Sequence, residues 1–291
     1  MGGLIIPSER QRDKAVVKRS VFELVRKMQG PDKSEEPHWK IYPEGLVIPP
    51  QVSVDELTKL HSVQLPANTE HVLSRLEALS DSWAIKQENL IADDQKIWLP
   101  DGVMRLWQIP RRTGIFLNWL VKETQSRNIL ELGTSGGYSG IWLAMGAKQN
   151  GGTLYTVDLS PTKIEMAHKN FEEAGVNNIV QIKGEIRQIL RGWDEQIDFV
   201  FLDADKVNYS NYLRMILPKL KVGGWVVADN AVDYIQLMEG FVELLRNREH
   251  AGSNLYSYIL DLDKGLYLIR KDEPIDNRLI ASFFNSSTDF F

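Results

Sequence analysis

The chain has 291 residues, of which 43% are hydrophobic and 25% charged, and its formal net charge is −5. The composition is ordinary for a globular protein, and the length suffices for one large α/β domain with an appendage or for two small domains. The negative charge gives no case for nucleic-acid binding. The chain contains no cysteine, which excludes disulfides, thiolate metal sites and a cysteine nucleophile. No apolar run approaches the ~20 residues of a membrane span, and the N-terminus lacks the basic-then-apolar order of a secretory signal. We therefore expect a cytoplasmic protein that binds neither nucleic acid nor membrane.

Residues 1–105, which we call the arm, are predicted to be partly helical and partly extended. Prolines and glycines between residues 30 and 53 exclude long regular elements and indicate an extended linker. Residues 54–92 are typical of two helical pieces broken at Pro66, with Asn68 or Thr69 as the cap of the second piece. The arm has too many aromatic and aliphatic residues for a disordered tail. We therefore expect it to cover another surface, and its earlier part to support a homodimer.

From Arg112 onward, helix-like and strand-like runs alternate, and residues 106–272 are predicted to form one domain. Helices are predicted at about 113–124, 137–148, 161–174, 186–191, 208–218 and 235–248, and strands ending near Leu132, Asp158, Lys183, Asp203 and Asp229. This alternation predicts a parallel sheet covered by helices on both faces. Two further runs flank Asp263-Lys264-Gly265, a hairpin turn, and residues 273–291 are predicted to be a polar tail.

The stretch from Asn128 to Asp158 carries the first functional signal. It reads as a strand, a glycine-rich turn, a helix and a second strand that ends on an acid. Glycines let the backbone approach a ligand closely, and the start of a helix offers unpaired N–H groups. Asp158, 25 positions after Gly133, can accept hydrogen bonds from a ribose diol. The dinucleotide fingerprint G-x-G-x-x-G is absent, because Ser135 stands two residues after Gly133.

The pattern E-x-G-x-x-x-G, formed by Glu131, Gly133 and Gly137, resembles the first motif of class I S-adenosylmethionine (SAM) methyltransferases. The alternative is a purely structural strand-to-helix turn in another α/β domain. An NAD-dependent dehydrogenase begins with the same order of elements, but the missing glycine spacing disfavours it.

Acidic residues also end the fourth and fifth predicted strands, as Asp203 and as Asp229 followed by Asn230. The carboxyl ends of parallel strands meet at one edge of a sheet, where ligands bind. Two carboxylates and an amide oxygen form an all-oxygen set suited to Mg²⁺, Mn²⁺ or Ca²⁺, with coordination positions left for substrate. The alternative is that Asp203 or Asp205 caps the following helix and that Asp229 caps the next one.

The sequence D-A-D-K-x-x-Y from residue 203, followed by D-N at 229–230, is similar to the cation-dependent O-methyltransferases, the group that contains catechol and caffeoyl-CoA O-methyltransferases. The similarity extends from about Trp107 to Lys271. It implies a Rossmann-like SAM-methyltransferase sheet, mostly parallel with its last strand antiparallel. It also implies a divalent cation held by Asp203, Asp229 and Asn230, and Lys206 as the general base. The alternative for Lys206 is a surface lysine paired with Asp203 or Asp205.

The same resemblance implies SAM as cofactor, with Asp158 at the ribose and Ser139 near the methionine carboxylate. The residues assigned to cofactor binding are Glu131, Gly133, Ser135, Ser139, Asp158, Leu159, Glu185, Ile186 and Asp203. The chain departs from the family pattern at Gly184-Glu185-Ile186-Arg187 and at Ala231-Val232-Asp233-Tyr234. Both departures are compatible with SAM as cofactor and leave the identity of the methyl acceptor open.

The implied reaction is methyl transfer from SAM to a hydroxyl of a catechol-like or other vicinal-diol small molecule. The last third of the arm, including Trp98, Arg105 and Trp107, is predicted to wall the acceptor pocket. A SAM-binding scaffold without turnover, with the arm as its partner surface, is the alternative from a different functional class.

Overall fold

The computed structural model of the protein describes residues 40–41, 47–48, 64–79, 84–85, 104–231, 234–250, 255–260 and 262–271. The first predicted helical piece of the arm, Trp98 and the C-terminal tail lie outside these residues. Among the described residues, no helix combines the length and the apolar character that crossing a bilayer requires.

The described part of the chain contains eleven strands and seven α-helices, labelled in chain order. The strands are β1 Lys40–Ile41, β2 Val47–Ile48, β3 Ala84–Ile85, β4 Met104–Arg105, β5 Asn128–Leu132, β6 Thr153–Asp158, β7 Ile179–Lys183, β8 Ile197–Leu202, β9 Leu220–Asp229, β10 Leu255–Leu260 and β11 Leu266–Lys271. The α-helices are α1 Ala67–Leu79, α2 Arg111–Glu123, α3 Tyr138–Gln149, α4 Pro161–Ala174, α5 Ile186–Arg191, α6 Tyr209–Ile216 and α7 Glu239–His250. Short 3₁₀ turns at Lys206–Asn208 and Ile235–Met238 precede α6 and α7.

Seven strands form one sheet in the order β10-β11-β9-β8-β5-β6-β7. The pairs among β5 to β9 are parallel, whereas β11 is antiparallel to both β9 and β10. This arrangement confirms the predicted fold class, including the antiparallel last strand.

The two faces of the sheet carry separate apolar cores. Alternate residues of a strand point to opposite faces, and Ile129 of β5 accordingly packs in one core while Leu130 packs in the other. Helices α1 to α4 cover the first face, and α5 to α7 cover the second.

Helix α1 belongs to the first core although its sequence lies in the arm. It begins directly after Pro66, as the break at that proline predicted. Its residues Val72, Leu73 and Leu76 are fully or almost fully buried with the side chains of α2 and α3. The boundary at residue 105 stays a prediction, and it separates α1 in sequence from the core in which it packs.

One secondary-structure prediction in the arm is wrong. Ala84–Ile85 lies in the stretch predicted to be helical, yet it pairs antiparallel with Met104–Arg105. A partner strand about twenty residues further along the chain supplies the backbone hydrogen bonds, so tertiary pairing overrides the local helical pattern.

Candidate functional site

The glycine turn between β5 and α3 is held against the strand end at Asp203. Gly133 has a φ of 109°, and a Cβ atom there would lie 2.1 Å from the backbone oxygen of Asp203. Gly137, the residue before α3, has a φ of 85°, and its Cβ would lie 2.7 Å from the ring of Phe171. Only glycine meets both the conformational and the spatial requirement at these positions. The turn therefore brings the predicted cofactor site and the predicted metal site next to each other.

Asp158, at the end of β6, ties the glycine turn to the start of α4. Its Oδ2 accepts a hydrogen bond from the backbone N–H of Ser135 at 2.8 Å, and its Oδ1 accepts one from that of Ser160 at 2.9 Å. Leu159 beside it is 46% exposed. The carboxylate is thereby fixed at the strand end, and each oxygen retains a lone pair for a further donor.

Glu131 lies beneath the turn, completely buried. Its carboxylate accepts hydrogen bonds from the hydroxyl groups of Ser139 and Thr156, both at 2.5 Å. Burial raises the pKa of Glu131 to about 8, although the two hydroxyl groups act in the opposite direction. The predicted cofactor residues Glu131 and Ser139 thus contact each other, and Thr156 is a partner that sequence reasoning missed.

The pH dependence of stability follows from the pKa of Glu131. Folded Glu131 keeps its proton up to about pH 8, whereas the unfolded chain releases it above about pH 4.5. The stabilising contribution is complete below pH 4.5 and is lost as the pH rises to 8. We expect the free energy of unfolding of the wild type to fall relative to that of Glu131→Gln by on the order of 2–4 kcal/mol between pH 5 and pH 8.5. Urea unfolding of both proteins across this range is the measurement, and a constant difference between them would contradict the raised pKa.

Asp203, Asp229 and Asn230 meet at the carboxyl edge of the sheet. In the parallel pairing of β8 with β9, Leu202 lies opposite Ala228, so the aspartates that follow them are neighbours. Asp229 and Asn230 are 5% and 7% exposed. Burial, followed by the charge of Asp203, raises the pKa of Asp229 to about 8. The backbone of Asn230 is left-handed, with a φ of 65°, a conformation that asparagine tolerates.

The donor set of this trio fits a hard divalent cation. It offers two carboxylates and an amide oxygen, and a bound cation would relieve the repulsion between the two neighbouring carboxylates. No group of three or more histidine, cysteine, aspartate or glutamate residues in the described ranges is arranged to hold a metal ion. The trio has only two such residues, since its third predicted ligand is an amide.

Lys206 is largely buried beside the trio, with its side chain 14% exposed. Its Nζ donates to Asp203 Oδ1 at 2.7 Å and to the hydroxyl oxygen of Tyr209 at 2.8 Å. The Tyr209 hydroxyl in turn donates to the backbone oxygen of Leu202 at 3.0 Å. The pairing with Asp203 that was the alternative for Lys206 is therefore present, but not at the surface. Tyr209 ends the D-A-D-K-x-x-Y motif, and its spacing of three from Lys206 was the available signal for its contact with the lysine.

The capping alternative describes neither Asp203 nor Asp205. No side-chain hydrogen bond caps the 3₁₀ turn at Lys206–Asn208 or helix α6, although Asp205 directly precedes that turn. Asp205 instead accepts hydrogen bonds from the Tyr212 hydroxyl at 2.5 Å and from the Asn208 amide. The residue before the 3₁₀ turn at Ile235–Met238 is Tyr234, so Asp229 does not cap that turn.

Glu185 and Ile186 lie at the start of α5, after the end of β7. The Glu185 carboxylate caps this helix by accepting from the backbone N–H of Gln188 at 3.0 Å, and it pairs with Arg187 at 2.8 Å. Its assignment to cofactor binding stays a prediction.

The segment before α2 crosses the glycine turn. The Ser135 hydroxyl donates to the backbone oxygen of Leu106 at 2.5 Å. Trp107 is 49% exposed with a φ of 45°, and the Lys163 ammonium of α4 lies 5.3 Å from its ring centre. Trp107 is therefore located on the β6 and α4 side of the turn. Its predicted role in the acceptor pocket, with that of Arg105, stays a prediction.

Comparisons with known proteins agree with this geometry. A sequence model of the O-methyltransferase family matches residues 86–272, more than half of the chain. A catechol O-methyltransferase of Niastella koreensis is 33% identical over 174 residues, which cover 58% of this chain and 75% of that protein. A catechol O-methyltransferase of Mycobacterium tuberculosis is 32% identical over 158 residues, covering 51% and 70%. The crystal structure of an O-methyltransferase from Bacillus cereus in complex with S-adenosylhomocysteine (SAH) superposes with a TM-score of 0.55 at 25% identity, covering 75% of this chain and 97% of that one.

The family match includes the glycine turn, Asp158, the 203–209 motif and the Asp229-Asn230 pair. The superposition with the solved relative extends over 75% of this chain and 97% of the relative. The chain therefore belongs to the O-methyltransferase family and is a SAM-dependent O-methyltransferase.

Proposed function

We propose that the enzyme transfers the methyl group of SAM to a hydroxyl of a catechol-like or other vicinal-diol small molecule that is held by a divalent cation. The observation that carries this proposal is that Asp203 and Asp229 follow neighbouring strand ends, at the carboxyl edge of the sheet. Gly133 of the glycine turn lies against the backbone of Asp203 at the same place. The names of the two catechol O-methyltransferase relatives support the class of acceptor. A homodimer supported by the earlier part of the arm stays a prediction.

The cofactor is held, in this proposal, along the carboxyl ends of β5 and β6. The backbone N–H groups at the start of α3 face the methionine carboxylate, since a helix N-terminus favours an anion. Asp158, already fixed by two backbone N–H groups, accepts hydrogen bonds from the ribose diol.

The acceptor is held at the carboxyl ends of β8 and β9. Asp203, Asp229 and Asn230 would hold the cation, which when bound supplies positive charge that lowers the pKa of a phenol from about 10. Alignment of the hydroxyl oxygen with the methyl group is the main task, because the sulfonium is intrinsically reactive. Lys206 Nζ is the group positioned to take the hydroxyl proton. Because Nζ donates to Asp203, the base role requires this contact to be released when substrate binds.

Calorimetry and turnover together test the proposal. We expect SAM and SAH to bind while NAD does not, and a panel of catechol acceptors to be methylated from labelled SAM. Binding of SAH without turnover of any acceptor would favour the scaffold alternative, and binding of NAD would favour the dehydrogenase.

The variant Asp158→Ala tests the cofactor site. Loss of two hydrogen bonds to a charged acceptor is expected to weaken SAM binding by about 2–4 kcal/mol, measured by calorimetry on the folded variant. Asp198→Ala is a matched control, because this half-buried aspartate also accepts hydrogen bonds from two backbone N–H groups, those of Arg127 and Asn128. Asp198 lies at the amino end of β8, away from the carboxyl ends of the strands. Unchanged SAM affinity in Asp158→Ala would remove this residue from the site.

A further inference from the structure

Helix α1 lies against the outer side of the glycine turn. A Cβ atom at Gly136 would lie 3.5 Å from the side chain of Leu106 and 3.7 Å from that of Leu76. The side-chain amide of Gln108 donates to the backbone oxygen of Leu76 at 2.8 Å. The helix ends at Leu79, before residue 86, where the family match begins. An element outside the matched range thus contacts the turn that the family match includes.

A polar link runs from α1 to the first residue of α3. Glu77 Oε1 accepts a hydrogen bond from the Tyr138 hydroxyl at 2.5 Å and one from Arg111 Nε at 2.7 Å. Arg111 also donates to Glu70, two turns earlier in α1, at 2.7 Å. Tyr138 is 2% exposed, and burial raises the pKa of its hydroxyl, which therefore remains a donor.

A second link reaches the turn through α4. The amide of Asn170 donates to the backbone oxygen of Gly136 at 2.7 Å, in a buried position. Arg75 of α1 donates to the Oδ1 atom of Asn170 at 3.1 Å. Both links end within one residue of Gly137, whose left-handed backbone starts α3.

We propose that helix α1 is a positioning element of the cofactor site and that Glu77, acting through Tyr138, is its positioning residue. The inference rests on the proposed cofactor site at the turn. The backbone N–H groups at the start of α3 would face the methionine carboxylate in the proposed site, so a small displacement of Tyr138 would change the direction of these donors. Glu77 and Arg111 are about one-third exposed. Arg111 binds Glu70 and Glu77 through two hydrogen bonds each, a bidentate arrangement that also stabilises the fold. The test therefore includes a control for stability.

Four variants and one control test this inference by the SAH dissociation constant, with kcat and the KM for SAM as a second readout. Tyr138→Phe keeps the ring and removes the hydroxyl, and Glu77→Met removes the acceptor; each is expected to weaken SAH binding about tenfold and to raise the KM while sparing kcat. The double variant is expected to bind no more weakly than the poorer single one, because both remove one link. Glu77→Gln keeps an acceptor oxygen and is expected to retain SAH affinity within about threefold of the wild type.

The control is Asn150→Ala at the other end of α3. The Asn150 amide donates to the backbone oxygens of Val121 at 2.9 Å and Ser126 at 3.0 Å, so the control destabilises the same helix away from the turn. It is expected to lower the Tm without changing SAH affinity.

Wild-type SAH affinity in Tyr138→Phe, or an equal loss in Asn150→Ala, overturns the inference. If Tyr138→Phe does not fold, the comparison of Glu77→Met with Glu77→Gln decides, because residue 77 is partly exposed. A wild-type enzyme that binds no SAH overturns the proposed cofactor site itself, whereas variants that bind SAH like the wild type overturn only the role of α1.

Discussion

Treatment with EDTA is expected to abolish turnover of a catechol acceptor, and added Mg²⁺ or Mn²⁺ is expected to restore it. Asp229 is almost completely buried, and its pKa is raised by that burial and by the charge of Asp203. The two neighbouring carboxylates repel each other, and Lys206 forms its ion pair with Asp203. A divalent cation would supply further positive charge at this place, and its open coordination positions would take the acceptor oxygens. Initial rates with dialysed enzyme, with and without chelator, are the measurement.

Variants of the trio sharpen this expectation. Asp229→Ala or Asn230→Ala is expected to lower kcat/KM by at least about a thousandfold, without rescue at ordinary metal concentrations, because one of three protein ligands is lost. SAM affinity should change little. Asp198→Ala is the control, because Asp198 lies in the same sheet but at the amino end of β8. Its activity should respond to EDTA like that of the wild type. Full activity of the wild type in chelator would remove the metal from the proposal and leave Asp203 as a cofactor or structural residue.

The variant Lys206→Met is expected to lower kcat by about 10²- to 10⁴-fold, the usual contribution of a positioned base, with SAM affinity within about twofold of the wild type. Lys206 Nζ lies 2.7 Å from Asp203 and 2.8 Å from the Tyr209 hydroxyl oxygen, so it is oriented without help from the substrate. Single-turnover rates at saturating SAM and acceptor measure the effect.

A second substitution separates the base from the ion pair. Lys206→Arg keeps the positive charge next to Asp203 but cannot release a proton near neutral pH. If Lys206 is the base, the arginine variant should be as inactive as the methionine variant. Recovery of activity with arginine would show that Lys206 serves only as the charged partner of Asp203. Lys221→Met is the control for loss of a lysine–aspartate pair. It breaks the 2.9 Å ion pair of Lys221 with Asp198, which lies at the amino ends of the strands.

Local patterns in the sequence were sufficient for the order and type of most elements. The alternation of apolar runs predicted β5 to β9 and the helices between them, because hydrophobic periodicity reflects which faces are buried. The hairpin at Asp263-Lys264-Gly265 was predicted from its turn residues, and the antiparallel direction of the last strand from the family resemblance. The sequence also predicted the glycine turn from its glycines. Gly133 and Gly137 occupy backbone conformations that other residues rarely adopt.

Contacts between distant segments were decided only by the tertiary structure. The sequence places Asp203 and Asp229 at strand ends, but only the pairing of β8 with β9 makes them neighbours. Likewise, no local pattern indicates that the Ser139 hydroxyl is directed at Glu131, or that Glu77 of α1 contacts Tyr138 next to the glycine turn. The physical reason is that periodicity records how much of each element is buried and on which side. Which partner buries it depends on packing between segments that lie up to 151 residues apart, and no local window of a single sequence encodes that choice.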